Sequence, residues 1–170
     1  MLDVGWGTGY FVRLIAAALG SHGLAIGIDP STSMVEYARR RGGGSANAHF
    51  QVGTAEAIEF AEDHFDVVVS SLGVHHVPED SRTRALTEVH RVLRPGGGVL
   101  VAEAQTPRHG LGWRLLARLH GYDRMARQVP HLEPLAAQAG FGEIRTGEVP
   151  PWIRYFRLGR TVPSPARSRS

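Results

Sequence analysis

The stretch LDVGWGTGY, residues 2–10, decides how this chain folds. An apolar run interrupted by Asp3 and followed by glycines at 5, 7 and 9 reads as a buried strand turning into a helix. A turn so poor in side chains lets a ligand lie against the main chain. Its spacing is not the dinucleotide fingerprint G-x-G-x-x-G, because Gly9 arrives one residue early and Tyr10 stands in the third glycine's place. The D-x-G-x-G-x-G order suits a ligand without phosphate, whose amino-acid end follows the backbone. Trp6 stands between the first two glycines. Turned into a helix–sheet seam, its ring leaves the loop open; turned toward the ligand, it fills the slot.

Outward from this loop the chain alternates between two periodicities. Apolar runs at 1–5, 24–29, 48–52, 65–71 and 97–104 have the length and Val/Ile content of buried strands. Phe11, Leu14, Ile15, Ala18 and Leu19 recur at helical spacing before Gly20. Ser31–Arg41 predicts a second helix, capped by Ser33 with Glu36 and ended at Gly42–Gly44. Leu86, Val89, Val92 and Leu93 predict a third, stopped by Arg94-Pro95-Gly96. Residues 53–64 leave room for one or two helical turns. Strand and helix in this rhythm imply a parallel sheet covered on both faces, with ligands beyond the carboxyl ends of the strands.

From residue 106 the pattern changes. Leu111, Leu115, Leu119, Tyr122, Ala126 and Val129 predict an amphipathic helix, followed by a short one at 131–139 ended by Gly140. Runs at 141–149 and 152–159, joined at Pro150-Pro151, predict an antiparallel pair. The whole reads as one α/β domain over 1–160 and a disordered tail over 161–170, which has too little apolar content to pack.

The chain has 170 residues, 42% of them hydrophobic and 21% charged, as in a globular domain. No apolar run is long enough to span a bilayer and no leader pattern opens the chain, so the expectation is a cytoplasmic protein without stable membrane insertion. Cysteine is absent, which excludes disulfides, zinc–thiolate sites, iron–sulfur clusters and a cysteine nucleophile. All 19 basic residues are arginines. With no lysine, Schiff-base chemistry, the phosphate-loop lysine and the Tyr-x-x-x-Lys pair of short-chain dehydrogenases are excluded as well. Charge is uneven: residues 1–104 hold 8 arginines and 12 acids, residues 105–170 hold 11 arginines and 4 acids. That basic third reads either as a solvated face or as a surface for an anionic substrate or membrane. Nucleic acid is not expected, since no Asn/Asp-Pro-Pro-aromatic motif follows the fourth strand and the arginines are not interleaved with a row of aromatics.

Asp29 closes the second strand in GIDPS, where a carboxylate can accept both hydroxyl protons of a ribose or cap the following helix. Taken in series, LDVGWGTG, GIDPSTSMVEYAR, GTAEAIEF, FDVVVSSLGVHHV and RVLRPGGGVLVAE resemble the class I S-adenosylmethionine-dependent methyltransferases. The nearest likeness is the type 11 group, which includes the ubiquinone/menaquinone C-methyltransferases. The resemblance implies a Rossmann-like, doubly wound, seven-stranded and mostly parallel sheet with an antiparallel C-terminal hairpin. It implies S-adenosyl-L-methionine as cofactor and a small, lipophilic methyl acceptor. Gly5, Gly7 and Gly9 would hold the methionine part, with Asp3 orienting its ammonium through water. Asp29 would take the ribose, Pro30 and Met34 would flank the adenine, and Thr54 and Ala55 would face its edge. Ser70, Ser71 and Leu72 would line the methyl-transfer side. Two positions depart from the family pattern: Thr54, where Asp is usual and Glu56 is a possible substitute, and Trp6, where a small residue is usual.

Methyl transfer from a sulfonium is an in-line displacement, so alignment does most of the work. A base is required only when the acceptor must lose a proton. His75 and His76 are the candidates, with the packing of a loop as their other reading. Trp113, Tyr122 and Trp152 read as core aromatics or as walls of an acceptor pocket. The resemblance also implies a helical lid ahead of the first strand, whereas the first strand here begins at Met1. Two readings follow: a start placed inside a longer frame, or a truncated, inactive fold that binds nucleosides weakly or serves as an interaction module.

Overall fold

The computed structural model describes residues 1–41, 46–105, 119, 132–150 and 153–162. The predicted helix around 111–129, the glycines at 42–44, Trp113, Tyr122, Trp152, and residues 163–170 of the predicted tail lie outside the described residues. Seven strands form one sheet: β1 (Leu2–Val4), β2 (Ala25–Asp29), β3 (Ala48–Val52), β4 (Phe65–Ser71), β5 (Leu93–Ala104), β6 (Glu143–Val149) and β7 (Ile153–Gly159). Their order is β3-β2-β1-β4-β5-β7-β6. The first five run parallel, and β7 pairs antiparallel with both β5 and β6. This is the doubly wound, Rossmann-like sheet that the family resemblance implied, and its parallel part is the one the strand rhythm predicted. Strand order reverses between β1 and β4, so the crevice at their carboxyl ends is the place for a ligand.

Among the described residues four α-helices accompany the sheet: α1 (Tyr10–Leu19), α2 (Thr32–Arg41), α3 (Arg82–Val92) and α4 (Leu132–Gln138). Helix α2 is capped two residues earlier than its sequence suggested. Ser31 Oγ accepts from the Met34 N–H at 3.4 Å, while Glu36 reaches along the surface to Arg40 at 3.7 Å. Helix α3 ends at Val92, and Leu93 already pairs with Phe65. The Arg94-Pro95-Gly96 segment is therefore the start of β5 rather than a loop. Proline's missing N–H is tolerated there because the register shifts between Phe65 and Val67. Between β3 and β4 the chain makes turns and a Thr54–Ala57 bridge in place of the expected helical turns. Among the described residues no helix is long and apolar enough to cross a membrane.

Two apolar layers lie on opposite faces of the sheet. Leu2, Val4, Ile26, Ile28, Val68, Val99 and Val101 pack with Leu86, Val89 and Val92 of α3 on one face. On the other, Trp6 joins Val12 and Ala16 of α1, Val35 and Ala38 of α2, and Ala25 and Phe50 of the sheet. The Trp6 ring is 6% exposed and meets the Phe50 ring at 4.9 Å between centroids. It thus lies in the helix–sheet seam. Gly27 makes the room: a Cβ built there falls 2.6 Å from Trp6 Cδ1. A glycine in mid-strand gives way to a neighbour's approach, and here the neighbour is an indole.

Gly27→Ala is therefore expected to lower stability by about 1–3 kcal/mol through overpacking. Combined with Trp6→Cys it should cost less than the two single changes added together, since the smaller side chain vacates the clash. Urea unfolding of the four proteins measures the coupling. Strict additivity would show that the two residues do not share this space.

Candidate active site

A cleft of about 650 Å³ opens at the carboxyl ends of β1, β2 and β4. Its first wall is the glycine turn. Gly5 and Gly7 both have positive φ, and the Gly5 N–H donates to Ile28 O at 2.9 Å, which holds the turn against β2. The turn after β4 closes on the same point. A Cβ on Gly5 would stand 3.3 Å from Gly73 Cα, and one on Gly73 would stand 3.0 Å from Val4 O. Leu72 adopts φ +56, a left-handed conformation that strains a branched side chain and turns the chain sharply after Ser71.

Asp29, 8% exposed, secures the second wall. Its Oδ2 accepts from the Gly7 N–H at 3.1 Å and its Oδ1 from the Ser31 N–H at 2.9 Å. A carboxylate offers about four acceptor positions, so half remain for hydroxyl donors in the cleft. Both readings of Asp29 from sequence meet in this geometry: it braces the start of α2 and still faces the cleft. Pro30, Met34, Thr54, Ala55, Ser71 and Leu72 also line the cleft. Thr54 and Glu56 lie on the same side.

Three of the predicted site residues stand elsewhere. Gly9 does not border the cleft; it is the N-cap of α1, and a Cβ there would fall 2.7 Å from Phe50 Cε1 and 3.1 Å from Ala38 Cβ. Its role is close packing of α1 on the sheet. Asp3 lies in β1 next to Gly27, 1% exposed, and both its carboxylate oxygens lack a hydrogen-bond partner. Burial, reinforced by the nearby Asp29 charge, raises its pKa to about 7. An unpartnered buried carboxylate under a ligand-facing turn is suited to a cation placed above it. The cleft thus offers open backbone at Gly5 and Gly7 and acceptor capacity on Asp29, with the buried Asp3 carboxyl close to the turn.

His75 is the third. Its Nδ1 lies 3.1 Å from Oε2 of Glu103, and the side chain is 6% exposed. Glu103 Oε1 accepts from the Val74 N–H at 2.7 Å. Burial raises the Glu103 pKa to about 7 and lowers that of His75, where Arg82 adds to the effect, so the neutral forms are favoured on both. The Glu103 carboxyl and His75 ring form a brace for the turn Val74–His76. His76, its ring tilted by 42° against that of His75 with centroids 4.0 Å apart, is the histidine that reaches the cleft. The first-mentioned candidate base thus faces the protein and its neighbour faces the ligand space.

Two site residues escaped the sequence reading. Glu103 carried a usable signal, a carboxylate within the apolar run GVLVAEA. Arg82 carried none, since an arginine opening an amphipathic helix is ordinarily a solvated residue. Yet it is 7% exposed and lines the cleft.

A profile of the methyltransferase domain family matches residues 1–97. The ubiquinone/menaquinone biosynthesis C-methyltransferase UbiE of Geotalea daltonii is 40% identical over 111 residues, 64% of this chain and 46% of that protein. The demethylmenaquinone methyltransferase of Staphylococcus aureus is 36% identical over 106 residues, 62% of this chain and 43% of that protein. The chain spans about half the length of these relatives. Among solved structures, a SAM dependent methyltransferase from Aquifex aeolicus superposes with a TM-score of 0.74 at 20% identity, covering 94% of this chain and 81% of the other. An S-adenosylmethionine dependent methyltransferase from Mesorhizobium loti gives 0.70 at 22%, covering 94% and 89%. The glycine turn, the Asp29 brace and the seven-stranded order agree with the family match: this chain belongs to the methyltransferase domain family and carries a Rossmann-like fold.

Proposed function

We propose that this chain binds S-adenosylmethionine in the cleft and directs its methyl group to a small, lipophilic acceptor. The observation that carries the reading is the pairing of an open glycine turn with Asp29, whose carboxylate holds that turn by the Gly7 N–H and keeps acceptor capacity toward the cleft. The relatives' names, which place them in ubiquinone and menaquinone biosynthesis, support a lipophilic ring as acceptor.

When bound, S-adenosylmethionine supplies an electrophilic methyl group on a sulfonium. The residues of this chain bind, orient and shield. Gly5 and Gly7 present backbone to the amino-acid end, and the buried Asp3 attracts its ammonium. Asp29 accepts from the ribose hydroxyls, with Pro30, Met34, Thr54 and Ala55 around the adenine. Ser71 and Leu72 border the reacting end. His76 would take a proton from an acceptor that must lose one, with Glu103 holding the His75 ring against which it packs. Alignment of this kind supplies several kcal/mol of the barrier reduction, up to roughly 7–11 in well-oriented systems.

S-adenosylhomocysteine is expected to raise the melting temperature, while NAD leaves it unchanged, because the glycine spacing lacks the pyrophosphate turn. Absence of any shift at millimolar S-adenosylhomocysteine would overturn cofactor binding. Asp29→Ala should weaken that ligand at least about tenfold, the worth of a charge-assisted hydrogen bond.

Asp3 adds a pH dependence of definite sign. Its folded pKa, about 7, lies above the ordinary 3.8, so between those values the unfolded chain binds fewer protons than the folded one. Stability of the unliganded protein therefore falls as pH rises toward 7, by at most about 1.4 kcal/mol per pH unit. Ligand affinity should move the other way, rising from pH 6 to 8 as Asp3 ionises. Melting curves and calorimetric titrations of wild type and Asp3→Asn at pH 5, 6 and 8 test both; the variant should flatten the two slopes. An unaltered pH profile in Asp3→Asn would remove Asp3 from the account.

A further inference from the structure

Arg82, the first residue of α3, is buried in the wall of the cleft. The lining that α3, β5 and the turn before α3 add to the same cleft is apolar: Val77, Ala85, Leu86, Val89, Val99 and Val101. Its Nε donates to Val77 O at 3.1 Å. A guanidinium has five N–H donors, and the remaining four have no hydrogen bond or carboxylate partner among the described residues. Glu103 is the acid whose field reaches Arg82, but its two oxygens are taken by the Val74 N–H and His75. Glu79 and Asp80 stand in the turn just before α3, and Asp29 and Glu56 line the same cleft, but among the described residues none of these carboxylates forms an ion pair or hydrogen bond with Arg82; His75 and His76 offer no countercharge. Among the described residues the terminal nitrogens of Arg82 are neither bonded nor sealed from the cleft, which leaves a permanent cation open to an anion that enters an otherwise apolar part of it.

We propose that Arg82 is the acceptor-binding residue of the cleft, pairing with an oxyanion, the ionised hydroxyl of a phenol or enol, whose apolar body occupies the chamber below it. This deepens the methyltransferase reading and rests on it. The planar fork of the guanidinium suits a single oxygen with two lone pairs or a bidentate one. Holding the acceptor as its oxyanion enriches the ring in electrons. The acceptor atom forms the bond to the methyl carbon, and the carbon–sulfur bond breaks with its electron pair leaving on the sulfur. Where the acceptor atom is carbon, the hydrogen it carried departs as a proton to His76 or solvent. The charge on the oxygen is then neutralised or retained according to whether oxygen or carbon has reacted.

The test uses 2-naphthol and its methyl ether, matched in apolar body and different only in the ionisable hydroxyl, with S-adenosylhomocysteine present. Wild type should bind the naphthol at least about tenfold more tightly than the ether, and the naphtholate absorption band should appear at a lower pH in the complex than in water. Arg82→Met should erase the preference and the spectral shift while S-adenosylhomocysteine still binds; Arg82→Lys, which keeps the charge, should restore part of both. Equal binding of naphthol and ether to wild type, no saturable binding of either at millimolar concentration, or a naphtholate shift that persists in Arg82→Met would overturn the assignment. If S-adenosylhomocysteine itself fails to bind wild type, the methyltransferase reading has failed; if it binds and the naphthol arm shows no Arg82 dependence, only the present inference has.

Discussion

The mouth of the cleft depends on Asp29. Its side chain accepts from the Gly7 and Ser31 N–H groups, and its backbone oxygen accepts from the Gly53 N–H at 3.1 Å. One residue thus joins the turn after β1, the start of α2 and the end of β3. Because these bonds run to backbone donors, the shape of the glycine turn does not rely on the side chains within it. That is why a tryptophan is tolerated at position 6. With the main chain held by Asp29 and by Ile28 O, the indole is free to leave the ligand side, and Gly27 provides the space that receives it.

The buried charges around the cleft sort by what surrounds them. Asp3 has no partner and rises in pKa until it is half protonated near neutrality. Glu103 also rises to about 7, but its oxygens are occupied, and the group acts on the backbone and on His75. Arg82 cannot discharge, because guanidinium stays protonated throughout the accessible pH range. An acid can answer burial by taking up a proton, whereas an arginine can answer it only by finding an anion. Of the three, Arg82 lines the cleft, while Asp3 and Glu103 are buried without bordering it.

Much of this arrangement was legible beforehand. The strands at 24–29, 48–52 and 65–71, the antiparallel pair at the C-terminal end and the site at the strand termini followed from apolar runs and the glycine turn, whereas a shared cleft for Asp29, Met34, Thr54 and Leu72 was what the family resemblance implied. Other features were beyond local pattern. Ser31 and Ser33 are equally good caps by type, and only the direction of the chain leaving β2 selects Ser31. Proline after α3 signals an end to the helix, but whether a loop or a strand follows depends on Phe65 being there to pair with Leu93. Two adjacent histidines look alike in sequence; Glu103, a distant strand residue, turns one inward.

The sequence by itself determined the alternation of strand and helix, the glycine turn and the acid at the end of β2, because periodicity and backbone permissiveness are local properties of neighbouring residues. Tertiary structure alone decided the direction of the Trp6 ring, the packing role of Gly9, the isolation of Asp3 and the burial of Arg82. Each of these is set by a residue far away in the chain: Gly27 for Trp6, Phe50 for Gly9, the covering layers for Asp3, and the apolar walls from β5 and α3 for Arg82. Desolvation and steric fit are sums over everything that closes around a side chain, and that sum exists only once the sheet has assembled.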